Sequence, residues 1–305
     1  MRGIGVILVL CASALHAQDD VVKAVQLDAF TVSAQALGFK VEDFVKQVME
    51  DTTFQQAFVN LKCHPHRVES ALRVHHRKER KTAGLYRRGM LLREGGKVWL
   101  ALDSLAESGP LRNQDGSFRY LTAEMYDDVF FPKGRVPATC NIVQRQQEIV
   151  RTSKFDKYKS ELKKFMFNPG QEIASVPMIG DKLALFDPKM VPYYDYFIRA
   201  GERNGHLCWV FSADARPEAR DGRTVIKRME TWFDRETMQV IAREYRIAHA
   251  SLILDFDIRI KVDNQVLEGQ LLPAQVDYEG VWDIPFKPTE QVRFFLTLSD
   301  WQVAQ

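Results

Sequence analysis

The clearest hydrophobic pattern in the chain lies between residues 251 and 263, where apolar and charged residues alternate strictly. The apolar positions are Leu252, Leu254, Phe256, Ile258, Ile260 and Val262, and the charged positions are Asp255, Asp257, Arg259, Lys261 and Asp263. Because successive side chains of a strand point to opposite faces, the segment predicts a long strand with one apolar and one charged face. The apolar face requires a cover, since burying six such side chains is worth roughly 9–18 kcal/mol before entropy is subtracted.

Strand-like segments also make up most of the chain after Tyr194. Seven of them follow one another, joined by short polar turns such as "RNG", "DRETM" and "VDNQ". Sequential strands with short turns are typical of an antiparallel meander. Residues 66–103 contain three more, "HRVESALRVHH", "TAGLYRRGMLL" and "KVWLALD". Strands do not alternate with helices, which argues against a parallel nucleotide-binding sheet.

Helical spacing of apolar residues occurs in two places. Val41, Phe44, Val45, Val48 and Met49 predict an amphipathic helix within residues 41–61. Phe155, Tyr158, Leu162, Phe165 and Met166 predict a second helix, which "NPG" ends. We interpret "FRYLTAEMYDDVFFP" as a strand pair or a strand with a loop, and "SVPMIGDKLALFDP" as a long loop that serves as a gate.

These elements predict an α+β fold in which a strongly bent antiparallel sheet is covered by a few helices. The predicted domain spans residues 18–305 and carries an insert at about 118–193. Residues 1–17 are predicted to be a secretory signal peptide, since Arg2 precedes a short apolar run and "ALHA" offers a cleavage site after Ala17. We therefore expect an exported protein that is soluble after cleavage.

Composition narrows the function only slightly. The chain has 305 residues, of which 46% are apolar and 27% charged, with a net charge of +2. These values are those of an ordinary globular protein, and the charge gives no indication of nucleic-acid binding. Cys63, Cys140 and Cys208 follow the predicted signal, so at most one internal disulfide can form. The sequence does not choose the pair, and three separate buried thiols remain an equal alternative.

The candidate metal chemistry lies in one histidine-rich segment, "CHPHRVESALRVHHRKER". Cys63, His64 and His66 carry side chains that ligate zinc or copper, but the spacing of strong metal sites is missing. A loop entering a strand that ends in a solvated basic turn is the simpler interpretation. No serine lies in a Gly-x-Ser-x-Gly turn, and no glycine-rich phosphate loop is present. We predict a protein that is not an enzyme and has no cofactor or bound metal.

One hairpin carries a family resemblance. In "ETWFDRETMQVIAREYRI", Trp232, Asp234 and Thr237 are followed by Arg243 and Tyr245 on the next strand. With the N-terminal amphipathic helix and the strands of "VESALRVHHRKERKTAGLYRRG", this hairpin resembles the periplasmic outer-membrane lipoprotein carrier and sorting proteins (LolA-like). The resemblance implies an unclosed antiparallel half-barrel with a helical lid and an activity of carrying acyl chains between membranes.

The function that we predict is to hold acyl chains of a lipid or lipoprotein against the concave apolar face of the half-barrel. An envelope membrane protein is a further candidate partner. The predicted lipid-binding residues are Leu254, Phe256, Ile258, Ile260, Trp209, Phe211 and Trp232. Two alternatives stay open: a non-catalytic docking protein whose sheet is packed solid, and a metal-assisted hydrolase that uses Cys63, His64 and His66.

Overall fold

A single antiparallel sheet of eleven strands organises the described part of the chain. The computed structural model describes residues 41–76, 79–138, 140, 181–220, 222–251, 255–283 and 289–303. The strands are β1 (His66–His76), β2 (Glu79–Glu94), β3 (Lys97–Ser108), β4 (Val136–Pro137), β5 (Tyr194–Arg203), β6 (His206–Ala215), β7 (Ile226–Asp234), β8 (Val240–His249), β9 (Asp255–Leu267), β10 (Gln270–Asp283) and β11 (Glu290–Ser299).

The order of strands across the sheet is β4-β3-β2-β1-β11-β10-β9-β8-β7-β6-β5. The meander from β5 to β11 therefore returns beside β1, and the first three strands continue the sheet on that side. The two ends of the described sheet, β4 and β5, are not paired with each other, so the sheet is open. The predicted unclosed antiparallel sheet with a helical cover is confirmed.

Within the described residues, three α-helices accompany the sheet: α1 (Val41–Glu50), α2 (Thr53–Asn60) and α3 (Leu121–Phe130). The single helix predicted within residues 41–61 is thus two helices, with the break at Asp51 and Thr52. Asp51 Oδ1 accepts hydrogen bonds from the Thr53 backbone N–H at 2.9 Å and from Thr53 Oγ1 at 2.6 Å. A carboxylate in this position satisfies backbone N–H groups that the start of a helix leaves free, which favours a new helix here.

The prediction of strands for "FRYLTAEMYDDVFFP" is wrong, since α3 lies there. The first turn of α3 is capped by a strand residue far away in sequence. Glu290 on β11 accepts hydrogen bonds from the backbone N–H groups of Leu121 and Thr122 at 2.9 and 3.1 Å, and from Thr122 Oγ1 at 2.6 Å. Local sequence contains no trace of this cap, so the tertiary contact decides the helix.

The two faces of the sheet differ as the alternation in β9 predicts. Phe256, Ile258 and Ile260 are buried, whereas Arg259 is exposed and Lys261 is half-buried. The helices pack on the face that carries the apolar residues, which we call the core face. We call the other side the polar face. Among the described residues, no helix is long and apolar enough to cross a membrane.

Several predictions fall wholly or partly outside the described residues. The second predicted helix, at 155–167, lies outside them, as does the first part of the predicted gate loop. The described part of that loop contains a short 3-10 helix, Asp181–Leu183, and two buried side chains, Leu183 and Leu185. The ring of Phe186 stacks on Tyr196 with centroids 5.9 Å apart, and lies tilted against Phe211 with centroids 5.8 Å apart. This part of the loop therefore packs on the core face.

Candidate functional site

The predicted apolar stripe on β9 lies in the middle of the core face. Ile258 is flanked by Ile247 on β8 and Gly280 on β10, and Ile260 by Tyr245 and Tyr278. Phe256, Ile258 and Ile260 are each no more than 4% exposed and belong to the main hydrophobic core. Leu254 lies outside the described residues. The three described stripe residues thus form one continuous apolar surface beneath the cover.

Phe211 and Trp209 on β6 lie on the same face as the stripe. Phe211 is fully buried, and the Phe44 ring of α1 lies 6.3 Å from it. Trp209 is partly buried against the core, and the guanidinium of Arg235 lies 4.0 Å from its ring centroid. Both residues are three strands away from β9. They extend the apolar surface toward one edge of the sheet.

Trp232 lies on the polar face. It is paired in register with Val210, whose side chain points away from that of Phe211 because the two are adjacent on one strand. Trp232 belongs to a small second cluster with Cys208, Val210 and Ala242. The structure therefore brings Phe256, Ile258, Ile260, Phe211 and Trp209 together on one face and places Trp232 on the other.

Two buried arginines share a row of residues across the core face. The row consists of residues paired in register: Arg243 (β8), Val262 (β9), Val276 (β10), Leu296 (β11), Ser70 (β1) and Arg87 (β2). Neighbouring strands are about 4.8 Å apart, so five steps separate the two arginines by about 24 Å. The apolar stripe lies between them.

Each of these arginines pairs with an aspartate of the helical cover. Arg243 Nη2 lies 3.5 Å from Oδ2 of Asp51, between α1 and α2. Arg87 Nη2 lies 2.6 Å from Oδ1 of Asp127 on α3. The side chains of the first pair are 6% and 2% exposed, and those of the second 10% and 16%. We call the two ion pairs the cover latches.

The surroundings of Arg243 are mostly apolar. Its guanidinium lies 4.3 Å from the ring centroid of Phe54 on α2, and its Nε donates a hydrogen bond to Thr231 Oγ1 at 3.1 Å. Burial lowers the pKa of Arg243, and the carboxylate of Asp51 opposes that shift. The charge is therefore held in a place where it loses much of its hydration, which is costly without its partner.

Aromatic rings complete the contact between α3 and the sheet. Tyr126 stacks on Phe294 with ring centroids 4.3 Å apart, and Phe130 lies 5.2 Å from the same ring. Tyr126 also meets Tyr278 edge-on at 4.9 Å. Burial raises the pKa of both tyrosines, so their phenols stay neutral. The cover thus rests on the sheet through side-chain contacts and the cover latches.

The predicted histidine-rich cluster has a different arrangement from a metal site. The sulfur of Cys63 is bonded to that of Cys140, so a thiolate is not offered at this position. His66 is buried, stacks on Trp301 with ring centroids 4.0 Å apart, and hydrogen-bonds through Nδ1 to the His64 carbonyl at 2.8 Å. No group of three potential metal ligands occurs among the described residues. Cys208 is a buried free thiol.

Comparison with known proteins gives similarity in structure only. No family model and no curated relative matches the chain. It is similar to a DUF1329 family protein from Desulfovibrio piger, at 13% identity over 82% of this chain and 93% of that chain, with a TM-score of 0.22. It is also similar to a putative outer membrane lipoprotein-sorting protein domain from Vibrio parahaemolyticus, at 9% identity over 85% and 89% of the two chains, with a TM-score of 0.26.

A third similar structure is the LolA superfamily protein NE2245 from Nitrosomonas europaea, at 8% identity over 83% and 93% of the two chains, with a TM-score of 0.21. The names of the second and third structures agree with the resemblance stated from the sequence. At TM-scores this low, the likeness carries no conclusion about function.

Sequence reasoning missed the cover latches, although a signal for them was present. Arg243 occupies a position in phase with Tyr245 and Ile247, on the face that is otherwise apolar. Arg87 is in phase with Leu85 in the same way. An arginine at an apolar position of an amphipathic strand indicates a buried charge that needs a carboxylate partner. Which carboxylates supply it depends on the packing of the helices.

Proposed function

We propose that this chain is an exported, non-enzymatic carrier or binding protein. It holds the acyl chains of a lipid or lipoprotein against the core face of the sheet, with α1, α2 and α3 as a movable cover. The predicted signal peptide at residues 1–17 directs it to the periplasm, where an envelope membrane protein is a candidate partner. The cover latches on either side of the apolar stripe are the observation that carries this proposal.

Buried ion pairs suit a cover that must open. Two charges taken out of water gain little net free energy from pairing, because their lost hydration offsets the attraction. If the cover lifts, Asp51, Asp127 and their arginines return to water and recover that hydration. The latches therefore fix where the cover sits while opposing its opening less than apolar packing of the same volume would.

The apolar stripe, in contrast to the latches, favours the closed position of the cover. Exposing Phe256, Ile258 and Ile260 to water would cost roughly 1.5–3 kcal/mol for each side chain. An open cover is therefore unfavourable unless another apolar group takes its place on the sheet. A hydrocarbon chain can take the place of the cover without bringing a polar group that needs a hydrogen-bond partner. We therefore expect the ligand to be an acyl chain.

The test exploits two tryptophans that lie on opposite faces. Trp282 is buried on the core face, with its ring centroid 5.4 Å from that of Phe256, whereas Trp232 lies on the polar face. A fatty acid that carries a nitroxide quencher in mid-chain is titrated into the delipidated mature protein, and tryptophan fluorescence is recorded. Quenching should be strong in the native protein and in Trp232→Phe, and should fall clearly in Trp282→Phe.

A second measurement identifies what the protein carries when it is purified. Native mass spectrometry should detect lipid bound to the mature protein, and Ile258→Asp should lose it, while Lys261→Asp on the polar face of the same strand should retain it. Equal quenching in both tryptophan variants, together with no bound lipid, would refute the carrier function and support the alternative of a non-catalytic docking protein. Stoichiometric zinc would instead support the hydrolase.

A further inference from the structure

The polar face of the sheet contains a groove of about 1210 Å³. Its charged side chains lie on the opposite side of the sheet from the side chains of the acyl-chain site, although Ile260 of the apolar stripe also borders it. Its lining is dominated by charged side chains: Arg73, Asp214, Arg220, Lys227, Arg228, Glu230, Glu244, Arg246, Arg259, Lys261, Asp277, Glu279 and Arg293. Eight of these side chains are basic and five are acidic. A groove of this size and charge can admit an anionic ligand.

The basic residues are ordered by the register of the strands. One row across the polar face consists of Arg228 (β7), Arg246 (β8), Arg259 (β9), Glu279 (β10), Arg293 (β11) and Arg73 (β1), each paired in register with the next. Five steps of about 4.8 Å give this arginine row a length of about 24 Å. Arginine is directly opposite arginine at three of the five steps.

A row with arginines directly opposite each other on neighbouring strands does not stabilise a sheet. Opposite charges on neighbouring strands attract, whereas like charges directly opposite each other destabilise the pair. A ladder that served only the fold would therefore alternate in sign. Three arginine–arginine neighbours in one row indicate that the row serves a purpose other than stability, and a bound anion would remove the repulsion.

Carboxylates neutralise only part of the row. Asp257 accepts hydrogen bonds from Arg246 at 2.9 and 2.6 Å, Glu279 accepts from Arg293 at 3.1 and 2.9 Å, and Glu230 accepts from Arg228 at 2.9 Å. Among the described residues, neither Arg73 nor Arg259 forms an ion pair within 4.0 Å, and both are exposed. The backbone positions of these two arginines are three strand steps apart, which is about 14 Å.

We propose that the groove binds a ligand that carries phosphate groups, with Arg73 and Arg259 as its principal contacts. The planar guanidinium fork matches the oxygens of a phosphate in a bidentate geometry, and five of the six positions in the row are arginine. Phe295, whose side chain is 43% exposed, lies in the same groove and offers an apolar surface beside the phosphates. Soluble oligophosphates and phospholipid head groups share this chemistry.

Two binding assays distinguish the two sources. Inorganic triphosphate is titrated calorimetrically into the full mature protein, and binding to phosphatidylglycerol vesicles is compared with binding to phosphatidylcholine vesicles. Triphosphate binding alone supports a soluble ligand, and selective vesicle binding supports a lipid head group. Binding should weaken as salt is raised, because exposed charges are screened.

The deciding variant is Arg73→Gln/Arg259→Gln, with Arg88→Gln/Arg119→Gln as its control. Arg88 and Arg119 are also exposed but lie outside the groove lining, so the control removes the same net charge. Loss of a charge-assisted contact is worth about tenfold in affinity for each arginine, so the dissociation constant should rise about 100-fold in the first variant. It should stay within about threefold in the control.

The stability of the same variants separates binding from folding. Because Arg73 faces Arg293 directly, Arg73→Gln/Arg259→Gln should have a melting temperature equal to or above that of the native protein. No binding of either probe, or equal loss of affinity in both double variants, would overturn the proposal. A large fall in melting temperature in the groove variant would also overturn it, since the row would then be structural.

Discussion

Arg243 on β8 and Asp51, between α1 and α2, form an ion pair that is almost completely buried. Their Nη2 and Oδ2 atoms are 3.5 Å apart, and the two side chains are 6% and 2% exposed. Through its other oxygen, Asp51 accepts a hydrogen bond from the backbone N–H of Thr53, the first residue of α2. One aspartate between the two helices therefore contacts the start of the second and pairs with the sheet. This relationship governs how the cover sits on the apolar stripe.

Removing one partner of this pair should destabilise the protein strongly. Asp51→Asn retains a capping oxygen but leaves the Arg243 charge buried and unpaired, which costs roughly 3–5 kcal/mol in the free energy of unfolding. Urea unfolding measures this change. The control is Asp257→Asn, which breaks the ion pair between Asp257 and Arg246. Both side chains of that pair are 44% exposed, so the free energy of unfolding should fall by no more than about 1 kcal/mol.

The double variant Asp51→Asn/Arg243→Met tests the latch itself. It removes both charges, so its free energy of unfolding should return to within about 1–2 kcal/mol of the native value. If the proposed function holds, the cover should then open less readily, and the quencher-bearing fatty acid should enter more slowly in a stopped-flow measurement. An Asp51→Asn cost equal to that of Asp257→Asn would contradict this account of the pair.

Gly280 should not accept a side chain without a local rearrangement. It faces Ile258, and a Cβ placed on it would lie 2.7 Å from Cζ of Tyr278, whose ring covers the glycine. The Tyr278 hydroxyl accepts a 2.6 Å hydrogen bond from Trp282 Nε1. Gly280→Ala should displace the ring and break this bond, at a cost of about 1–3 kcal/mol.

Thermal or urea unfolding measures that cost, and the near-ultraviolet circular dichroism of Trp282 should change with it. Gly201 provides a contrast, because a Cβ there would lie nearest to a methyl group of Val210, at 2.8 Å, and would not meet Tyr278 or Trp282. Gly201→Ala should therefore leave the Trp282 signal unchanged. An unaltered Trp282 signal in Gly280→Ala would show that Tyr278 does not depend on the glycine.

Stability should fall in mild acid because of His66. Burial lowers the pKa of this imidazole from 6.5 to about 4. Between these values the unfolded chain binds a proton that the folded protein does not, so the free energy of unfolding decreases as pH falls from about 6.5 toward 4. Over this whole pH interval, the titration of His66 should lower the free energy of unfolding by about 3 kcal/mol.

Urea unfolding at pH 7.5 and at pH 5.0 measures the dependence. His66→Phe keeps a ring against Trp301 and removes the titrating group, so the difference between the two pH values should shrink by about 1–2 kcal/mol. His75→Phe is the matched control, since His75 is more exposed than His66. A pH dependence that His66→Phe does not reduce would assign it to other groups.

The disulfide between Cys63 and Cys140 should contribute substantially to stability. It closes a loop between residues 77 positions apart. In the chain-entropy description, a loop of that length is worth up to about 4–5 kcal/mol, and measured values are typically 2–4 kcal/mol. Cys63→Ser/Cys140→Ser should lower the free energy of unfolding by an amount in this range.

Thiol labelling provides the check on connectivity. In the native mature protein, Cys208 is buried and should react with a maleimide only after unfolding. One reactive thiol in denaturant without reductant, and three with reductant, are expected from this pairing. Three reactive thiols without reductant would refute the disulfide, and Cys208→Ala should remove the single thiol signal.

Much of the sheet could be read from the alternation of side chains. The strict pattern around Ile258 predicts both the strand and its buried face, because one-face burial repeats every two residues whatever the partner strand is. The signal for α3 was insufficient, since its cap comes from Glu290. For the site, the sequence did not decide which face Trp209 and Trp232 occupy; Trp209 lies on the face of Phe211, and Trp232 lies on the other.

The sequence by itself determined which apolar residues favour burial and which of them share a face of a strand. The first follows from the chemistry of each side chain, and the second from the two-residue repeat of a strand. Only the tertiary structure decided which residues meet. The pairing of Arg243 with Asp51 and of Arg87 with Asp127 depends on how the helices pack on the sheet. The alignment of five arginines across the polar face depends on the register of paired strands, of which β1 and β11 are distant in the chain. Register is set by the packing of the whole sheet, which no short segment contains.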